Sequence, residues 1–216
     1  MPSMQVRYIA IEGNIGAGKS TLARLLAERL GARLVMEEFA DNTFLPKFYA
    51  EPERYAFPLE LSFLADRYKQ LKEFVAAPDL FAQPIVTDYL FIKSKLFARI
   101  NLADAEYELF ARVFEVMDLH LPQPDVLLFL HAPVSTLQAH IKERGREYEQ
   151  SIADEYLARV SRMYDEYLGT IGFPIIMIDT SVCDFRAAPG ALDGLVDMIF
   201  KPLEAKRHYL AAEGNR

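Results

Sequence analysis

Short, mostly apolar runs alternate with amphipathic segments along the whole chain, and this alternation predicts strands separated by helices. Five runs have the composition of buried strands, at residues 8–11, 33–36, 84–87, 126–130 and 175–178. Helical patterns occur at residues 20–30, 53–75, 89–99, 104–121, 135–144, 152–168 and 191–200. Apolar strands joined by helices are typical of a parallel sheet covered on both faces. Residues 1–216 are therefore predicted to form one doubly wound α/β domain.

Composition narrows the classes of partner. The 216 residues include 24 Lys and Arg against 31 Asp and Glu, a net charge of −7, whereas a protein that binds a nucleic-acid backbone is normally basic. Polymeric DNA or RNA is therefore not an expected partner. No apolar run approaches the roughly 20 residues that span a bilayer, and the single cysteine, Cys183, can form no internal disulfide. We expect a cytoplasmic protein without membrane association.

The strongest chemical signal follows the first predicted strand. Residues 13–20, GNIGAGKS, satisfy the phosphate-loop pattern G-x-x-x-x-G-K-[ST], and an amphipathic helix comes next. Glycines let consecutive N–H groups point at a phosphate, Lys19 supplies a cation, and the Ser20 hydroxyl suits Mg²⁺. The segment predicts a nucleoside triphosphate site formed by Gly13, Asn14, Ile15, Gly16, Ala17, Gly18, Lys19, Ser20 and Thr21.

Two classes of protein can use such a site: a switch that hydrolyses GTP and a kinase that transfers the γ-phosphate. The chain lacks the Lys-x-Asp of a guanine-specific switch and the apolar strand ending in Asp-Glu of an ATPase motor. A kinase needs cations around the moving phosphoryl group. Arg144 and Arg146, late in a predicted helix, suit a mobile lid, although a solvated helix end is the alternative interpretation.

Taken in order, these residues resemble the deoxynucleoside kinase family, which includes deoxycytidine, deoxyadenosine and deoxyguanosine kinases. The likeness covers nearly the whole chain and rests on the phosphate loop, Glu37, Tyr49, Glu60, Arg67, Asp88, Arg144-Gly145-Arg146, Glu149 and Tyr156. It implies a P-loop kinase fold: a five-stranded parallel sheet flanked by helices, with an arginine-bearing lid. It also implies a homodimer formed through helices and transfer of phosphate from ATP, with Mg²⁺, to a deoxynucleoside 5′-hydroxyl.

The resemblance implies roles for several acids and cations. Glu37 would act as the base toward the 5′-hydroxyl, although Glu38 offers a second carboxylate beside it. Asp88 and Ser20 would bind Mg²⁺, although a helix N-cap also fits Asp88. Lys19 and the lid residues Arg144 and Arg146 would act as catalytic cations. Substrate and donor contacts would come from Tyr49 and Glu149 at the sugar 3′-hydroxyl, and from Asp184 and Phe185 near the donor adenine.

The chain departs from the family pattern at the acceptor side. Tyr89 stands where the family has an arginine, so either Lys93 or the lid arginines supply that charge or turnover is slower. His140 replaces an arginine of the lid helix. Glu60 replaces a glutamine seven residues before Arg67, a spacing that puts both on one helix face. Ser94 replaces an aspartate that would lie near Arg67.

Glu60 suggests which base is bound. A carboxylate offers acceptors only, guanine presents two donors on its Watson–Crick edge, and Arg67 would contact O6 and N7. We therefore expect a purine deoxynucleoside kinase that favours deoxyguanosine. Two alternatives for the pair are a Glu60–Arg67 salt bridge on a solvated face, and a protonated Glu60 that recognises adenine as an amide would. For the protein, the alternatives are a deoxyadenosine or broad deoxynucleoside kinase, a nucleoside monophosphate kinase and a non-catalytic nucleotide sensor.

Overall fold

The computed structural model describes residues 6–38, 42–76, 83–187 and 189–210. The strands are β1 Tyr8–Gly13, β2 Arg33–Val35, β3 Ile85–Thr87, β4 Val126–His131, β5 Ile175–Asp179 and β6 Arg207–Tyr209. The helices are α1 Lys19–Leu30, α2 Leu45–Ala50, α3 Pro52–Ala76, α4 Lys93–Asn101, α5 Asp104–Asp118, α6 Val134–Arg144, α7 Asp154–Leu168 and α8 Pro189–Ile199. All strand pairs are parallel, in the order β2-β3-β1-β4-β5-β6.

The five predicted strands are confirmed, but the predicted total of five is wrong, because the described part of the chain forms a sixth. Strand β6 pairs with β5 at the edge of the sheet, with Ile176 opposite His208. Its residues are polar or exposed, with Arg207 and Tyr209 both exposed. An edge strand needs no apolar run, so the hydrophobic pattern gives no sign of it.

The apolar side chains of each central strand alternate between the two faces of the sheet. In β4, Leu127 and Phe129 pack toward one face, whereas Val126, Leu128 and Leu130 pack toward the other. The first face is covered by helices α3, α4, α5 and α7, and the second by α1, α6 and α8. The predicted doubly wound arrangement is therefore confirmed.

Helix boundaries differ from the prediction at one informative place. The predicted helix 89–99 begins only at Lys93, because residues 88–92 form a turn after β3 in which Tyr89, Leu90 and Phe91 are buried. Helix α2 and a 3₁₀ turn at Glu147–Glu149 were not predicted. In the described ranges, no helix is both long and apolar enough to cross a membrane.

The topology fixes where a ligand can bind. Strand β1 lies between β3 and β4. The chain therefore adds β2 and β3 on one side of β1 before it adds β4, β5 and β6 on the other side. Ligands of such sheets bind at the carboxyl ends of the strands around this reversal. The phosphate loop follows β1, Glu37 follows β2 and Asp88 follows β3, so all three lie at this edge.

Candidate active site

The phosphate loop joins β1 to α1, and its glycines are required by its geometry. Gly16 has a φ of 82°, and a Cβ there would lie 2.7 Å from the Leu137 carbonyl oxygen of α6. The Lys19 ammonium donates to the carbonyls of Gly13 (2.8 Å) and Asn14 (2.9 Å). Burial, and then the charge of Lys93, lowers the pKa of Lys19 to about 8. The loop is thus a tight turn in which a partly desolvated cation lies against the backbone.

The Asn14 side chain ties this loop to α7. Its amide nitrogen donates to the Leu157 carbonyl and to the Ser161 hydroxyl, both at 2.8 Å, and its oxygen accepts the Ile15 N–H at 2.7 Å. Asn14 stays a predicted contact to the triphosphate, and its side-chain amide holds the loop in place. Residues 15–21 of the loop line cavities on its two sides.

A large open cavity lies on the α6 side of the loop. Its volume is about 540 Å³, and its lining includes Gly16–Leu22, Arg144, Arg146 and residues 183–186. Asp184 and Phe185 therefore line the same cavity as the phosphate loop, and their contact with the donor adenine stays a prediction. Phe185 is also buried in the core below. The His140 Nδ1–H donates to the Gly16 carbonyl at 2.8 Å, so this side chain packs against the phosphate loop.

A smaller cavity of about 120 Å³ lies on the opposite side of the loop, among α2, α3, α4 and α7. Its polar lining includes Glu37, Tyr49, Glu60, Arg67, Asp88, Lys93, Asn101, Glu149 and Tyr156. Both cavities share Gly16, Lys19, Ser20, Arg144 and Arg146. The two spaces therefore meet at the loop lysine and the lid arginines.

Glu37 is held between two buried cations. Lys93 Nζ donates to its Oε2 at 2.6 Å, and Arg67 Nε donates to its Oε1 at 2.9 Å, with Arg67 Nη2 on the same oxygen. Burial alone would raise the pKa of Glu37, but the charges of Lys93 and then Arg67 outweigh burial and hold the pKa well below its usual range. Glu38 is exposed, so Glu37 is the carboxylate that lines the cavity.

Asp88, in the turn after β3, connects the first turn of α1 to the segment after β2. Its Oδ2 accepts the Ser20 hydroxyl at 2.7 Å, and its Oδ1 accepts the Glu37 N–H at 2.6 Å. The alternative that Asp88 caps a helix is wrong, because α4 begins five residues later, at Lys93. Two hard oxygen donors beside a phosphate loop fit Mg²⁺, which commonly takes one or two protein ligands together with phosphate oxygens and water.

Ion pairs hold together the two ends of the lid, Arg144 to Glu149. Arg144 pairs with Glu149, and Arg146 Nη1 lies 3.1 Å from the other Glu149 oxygen. Glu149 is only 6% exposed. The arginines are partly buried and line both cavities, so the alternative of a solvated helix end is wrong. Tyr49 stacks on Tyr148, with ring centroids 5.8 Å apart, and reaches the small cavity next to Glu149.

Glu60 and Arg67 both line the small cavity, and the alternative of an exposed salt bridge between them is wrong. They are 2% and 3% exposed. Arg67 donates to Glu37, and its Nη1 donates to Ser94 Oγ at 2.7 Å. Glu60 Oε1 accepts the Asn101 amide at 2.7 Å, whereas the buried Glu60 Oε2 has no hydrogen-bond partner in the described ranges.

Comparison with known proteins decides the family. A sequence model described as "Deoxynucleoside kinase" matches residues 9–203. A deoxyguanosine kinase of Bacillus subtilis is 36% identical over 73% of this chain and 76% of its own length. This chain belongs to the deoxynucleoside kinase family. A deoxyadenosine/deoxycytidine kinase of the same organism is 30% identical, covering 88% of this chain and 90% of its own. The family makes this chain an ATP-dependent kinase.

A solved family structure supports the fold. The deoxyadenosine kinase of M. mycoides, with products dcmp and a flexible dcdp bound, superposes with a TM-score of 0.77 at 23% identity, covering 88% of this chain and 99% of that one. At this identity the likeness concerns the fold, which in both is that of a P-loop kinase.

The two positions linked to the missing family arginine, Tyr89 and Lys93, lie differently relative to the small cavity. Tyr89 is fully buried, and its hydroxyl donates to Gln70 at 2.8 Å, away from the cavity lining. Lys93 lines the cavity and contacts Glu37. Of the two replacements considered for the family arginine, Lys93 is therefore the one in contact with the predicted base.

Two residues near the site were missed by the sequence analysis. Asn101, at the end of α4, bonds to Glu60. Glu12, at the end of β1, accepts the Gly13 N–H at 2.9 Å and the Leu90 N–H at 3.0 Å, which links the phosphate loop to the turn after β3. A charged residue inside an otherwise apolar strand was the available signal for Glu12. Asn101 carried no local signal, because its partner is 41 residues away.

Proposed function

We propose that this kinase transfers the γ-phosphate of ATP to the 5′-hydroxyl of a purine deoxynucleoside, with deoxyguanosine preferred. The observation that carries the proposal is the pair of cavities that meet at Lys19, Arg144 and Arg146. The large cavity suits a triphosphate donor beside the phosphate loop. The small one, lined by buried charged groups, suits a nucleoside whose hydroxyl reaches the shared cations.

The donor side supplies electrostatic stabilisation. Loop N–H groups, the N-terminus of α1 and Lys19 bind the β- and γ-phosphates, and Arg144 and Arg146 neutralise charge on the transferred phosphoryl group. Ser20 and Asp88 would hold Mg²⁺, which neutralises charge on the same phosphates. These groups face charge that grows or shifts during transfer, so they act mainly on the rate.

On the acceptor side, Glu37 orients the 5′-hydroxyl. The hydroxyl oxygen forms the new bond to phosphorus, the bond from phosphorus to the β–γ bridging oxygen breaks, and the hydroxyl proton passes to Glu37. Lys93 and Arg67 keep Glu37 ionised and fixed in direction. Tyr49 and Glu149 hold the sugar 3′-hydroxyl. Because Glu149 also pairs with both lid arginines, a bound sugar is coupled to the position of the lid.

The preference for guanine rests on Glu60. Its buried Oε2 is without a partner in the described ranges and belongs to a residue that lines the small cavity. As a carboxylate, Glu60 accepts the N1–H and 2-amino hydrogens of guanine. A second candidate substrate is deoxyadenosine, because burial raises the pKa of Glu60 to about 7, and a protonated Glu60 donates to adenine N1.

The test is an assay of the four deoxynucleosides with γ-labelled ATP. We expect deoxyguanosine 5′-monophosphate to form with the highest kcat/KM, and Glu60→Gln to shift preference toward deoxyadenosine by about tenfold or more. Glu53→Gln, an exposed position on the same helix, is the matched control. If no deoxynucleoside is phosphorylated, the proposal fails and a nucleotide sensor is favoured. If the base preference survives in Glu60→Gln, another residue selects the base.

Assembly as a homodimer through helices is a further part of the proposal. It is supported by three exposed apolar side chains along or just after α5: Leu109, Val116 and Leu119 are 47%, 65% and 83% exposed. Such side chains on one helix suit burial against a second copy. Light scattering should give twice the monomer mass, and Val116→Glu should lower it. A monomer at every concentration contradicts this part. The cytoplasmic location stays a prediction.

A further inference from the structure

A chain of hydrogen bonds leads to Glu60 from two other helices. The Tyr156 hydroxyl on α7 donates to Asn101 Oδ1 on α4 at 3.1 Å, and Asn101 Nδ2 donates to Glu60 Oε1 on α3 at 2.7 Å. All three residues line the small cavity. This series of hydrogen bonds ends at Glu60, whose other oxygen, Oε2, is buried without a partner in the part of the molecule that the structure describes.

In the structure these hydrogen bonds run in one direction, from Tyr156 through Asn101 to Glu60. Burial, and then the charge of Glu60, raises the pKa of Tyr156 well above its usual range, so the phenol keeps its O–H. An amide presents one donor side and one acceptor side. With Asn101 Oδ1 taken by the phenol, Nδ2 faces Glu60, and Oε1 is an acceptor in both protonation states. In this arrangement a proton on Glu60 lies on Oε2.

We infer that Asn101 and Tyr156 are positioning residues that set the protonation state in which Glu60 meets the base, so that the choice between guanine and adenine changes with pH. This inference rests on the proposed function. With Oε2 ionised, Glu60 accepts from guanine. With Oε2 protonated, Glu60 donates to adenine N1, and Oε1 keeps its hydrogen bond from the Asn101 amide.

The charges around Glu60 place this change near neutral pH. Burial raises its pKa to about 7, against the Asn101 hydrogen bond and the charges of Arg67 and Lys93, which lower it, while the charge of Glu37 raises it further. Tyr156, neutral on α7, adds no charge of its own. As the pH rises through this range Glu60 ionises, so the ratio of kcat/KM for deoxyguanosine to that for deoxyadenosine should rise.

The experiment follows that ratio between about pH 5.5 and about pH 8.5 in the full-length enzyme. The wild type should give a sigmoidal rise. In Tyr156→Phe, the Asn101 amide is free to turn its oxygen toward Glu60, which favours the protonated acid, so the midpoint should move up by roughly half a pH unit. Asn101→Leu removes the donor with little change of size, and its midpoint should move up by about one unit.

The controls separate this inference from the proposed function. Tyr167→Phe removes a hydroxyl from the same helix outside the lining of both cavities and should keep the wild-type midpoint. Glu60→Gln should give a ratio independent of pH. If Glu60→Gln leaves the ratio and its pH dependence as in the wild type, base selection by Glu60 is wrong. A different result would overturn only the positioning role. In that case Glu60→Gln flattens the curve, whereas Tyr156→Phe and Asn101→Leu keep the wild-type midpoint and lose activity equally on both nucleosides. Base selection by Glu60 would then stand.

Discussion

The two cavities beside the phosphate loop are built in different ways. Much of the donor side is one contiguous segment, residues 16–22, which lines a cavity of about 540 Å³. The acceptor side encloses about 120 Å³ and takes its charged groups from separate elements: Glu37 after β2, Glu60 and Arg67 on α3, and Lys93 on α4. In the proposed mechanism, backbone amides supply much of the binding on the first side, whereas buried ion pairs organise the second. Lys19, Arg144 and Arg146 belong to both sides, so outside these shared cations we expect single substitutions to cost far more on the acceptor side.

Glu37→Gln should have the largest effect. The amide keeps the shape but cannot take the hydroxyl proton, so kcat should fall by about 10²–10⁴-fold. Steady-state assays with deoxyguanosine and ATP measure this. Glu38→Gln, its exposed neighbour, should stay within about twofold of the wild type. Equal losses in the two variants would mean that Glu37 is not the base.

Lys93→Met should follow, with kcat lowered by about 10²-fold and KM for the nucleoside little changed. Lys93 is a buried cation at the first residue of α4, where the helix dipole disfavours positive charge, and Glu37 is its counter-ion. Without it the pKa of Glu37 rises, so the acid limb of the kcat profile should move to higher pH.

The control for Lys93 is Lys95→Met on the same helix, whose partner Glu115 is at the surface. Lys93→Arg should recover part of the rate, because the charge is kept. An unchanged acid limb in Lys93→Met, whatever the rate, would remove Lys93 from the support of Glu37.

The same contrast explains what could be predicted from the sequence. The phosphate loop was found because its residues are adjacent in the chain, and the central strands were found because burial on both faces demands apolar runs. The contacts of Lys93 with Glu37 and of Asn101 with Glu60 depend on the packing of α4 against α3. The pairing of Arg67 with Glu37 across 30 residues is likewise set by packing, which local spacing does not contain.

Glu60→Gln should change stability in a pH-dependent way, since burying a carboxyl costs much more when it is ionised than when it is protonated. The folded pKa of about 7 lies above the unfolded value of about 4.3, so the folded wild type binds the proton more tightly. That stabilisation is complete below the unfolded pKa and is lost as the pH rises through the folded pKa. Relative to Glu60→Gln, the wild type should lose about 2 kcal/mol between about pH 5 and about pH 7.

Urea unfolding of both proteins at the two pH values measures this difference, with Glu53→Gln as the exposed control on α3. If the free energies of unfolding of the wild type and Glu60→Gln differ by the same amount at both pH values, Glu60 does not titrate between them in the free enzyme. The guanine and adenine assays would then have to be explained without a change in its protonation.

His140→Arg should have the smallest effect, and it probes the donor side. The imidazole donates to the Gly16 carbonyl beside the large cavity, so an arginine there adds a permanent cation near the triphosphate. Because loop amides, the α1 dipole and Lys19 already bind the phosphates, we expect KM for ATP to fall by only about two- to fivefold, with kcat unchanged. His120→Arg, exposed near the end of α5, is the control. A gain in kcat as large as the loss in Lys93→Met would contradict the comparison, because it would make the donor side as dependent on a single side-chain charge as the acceptor side.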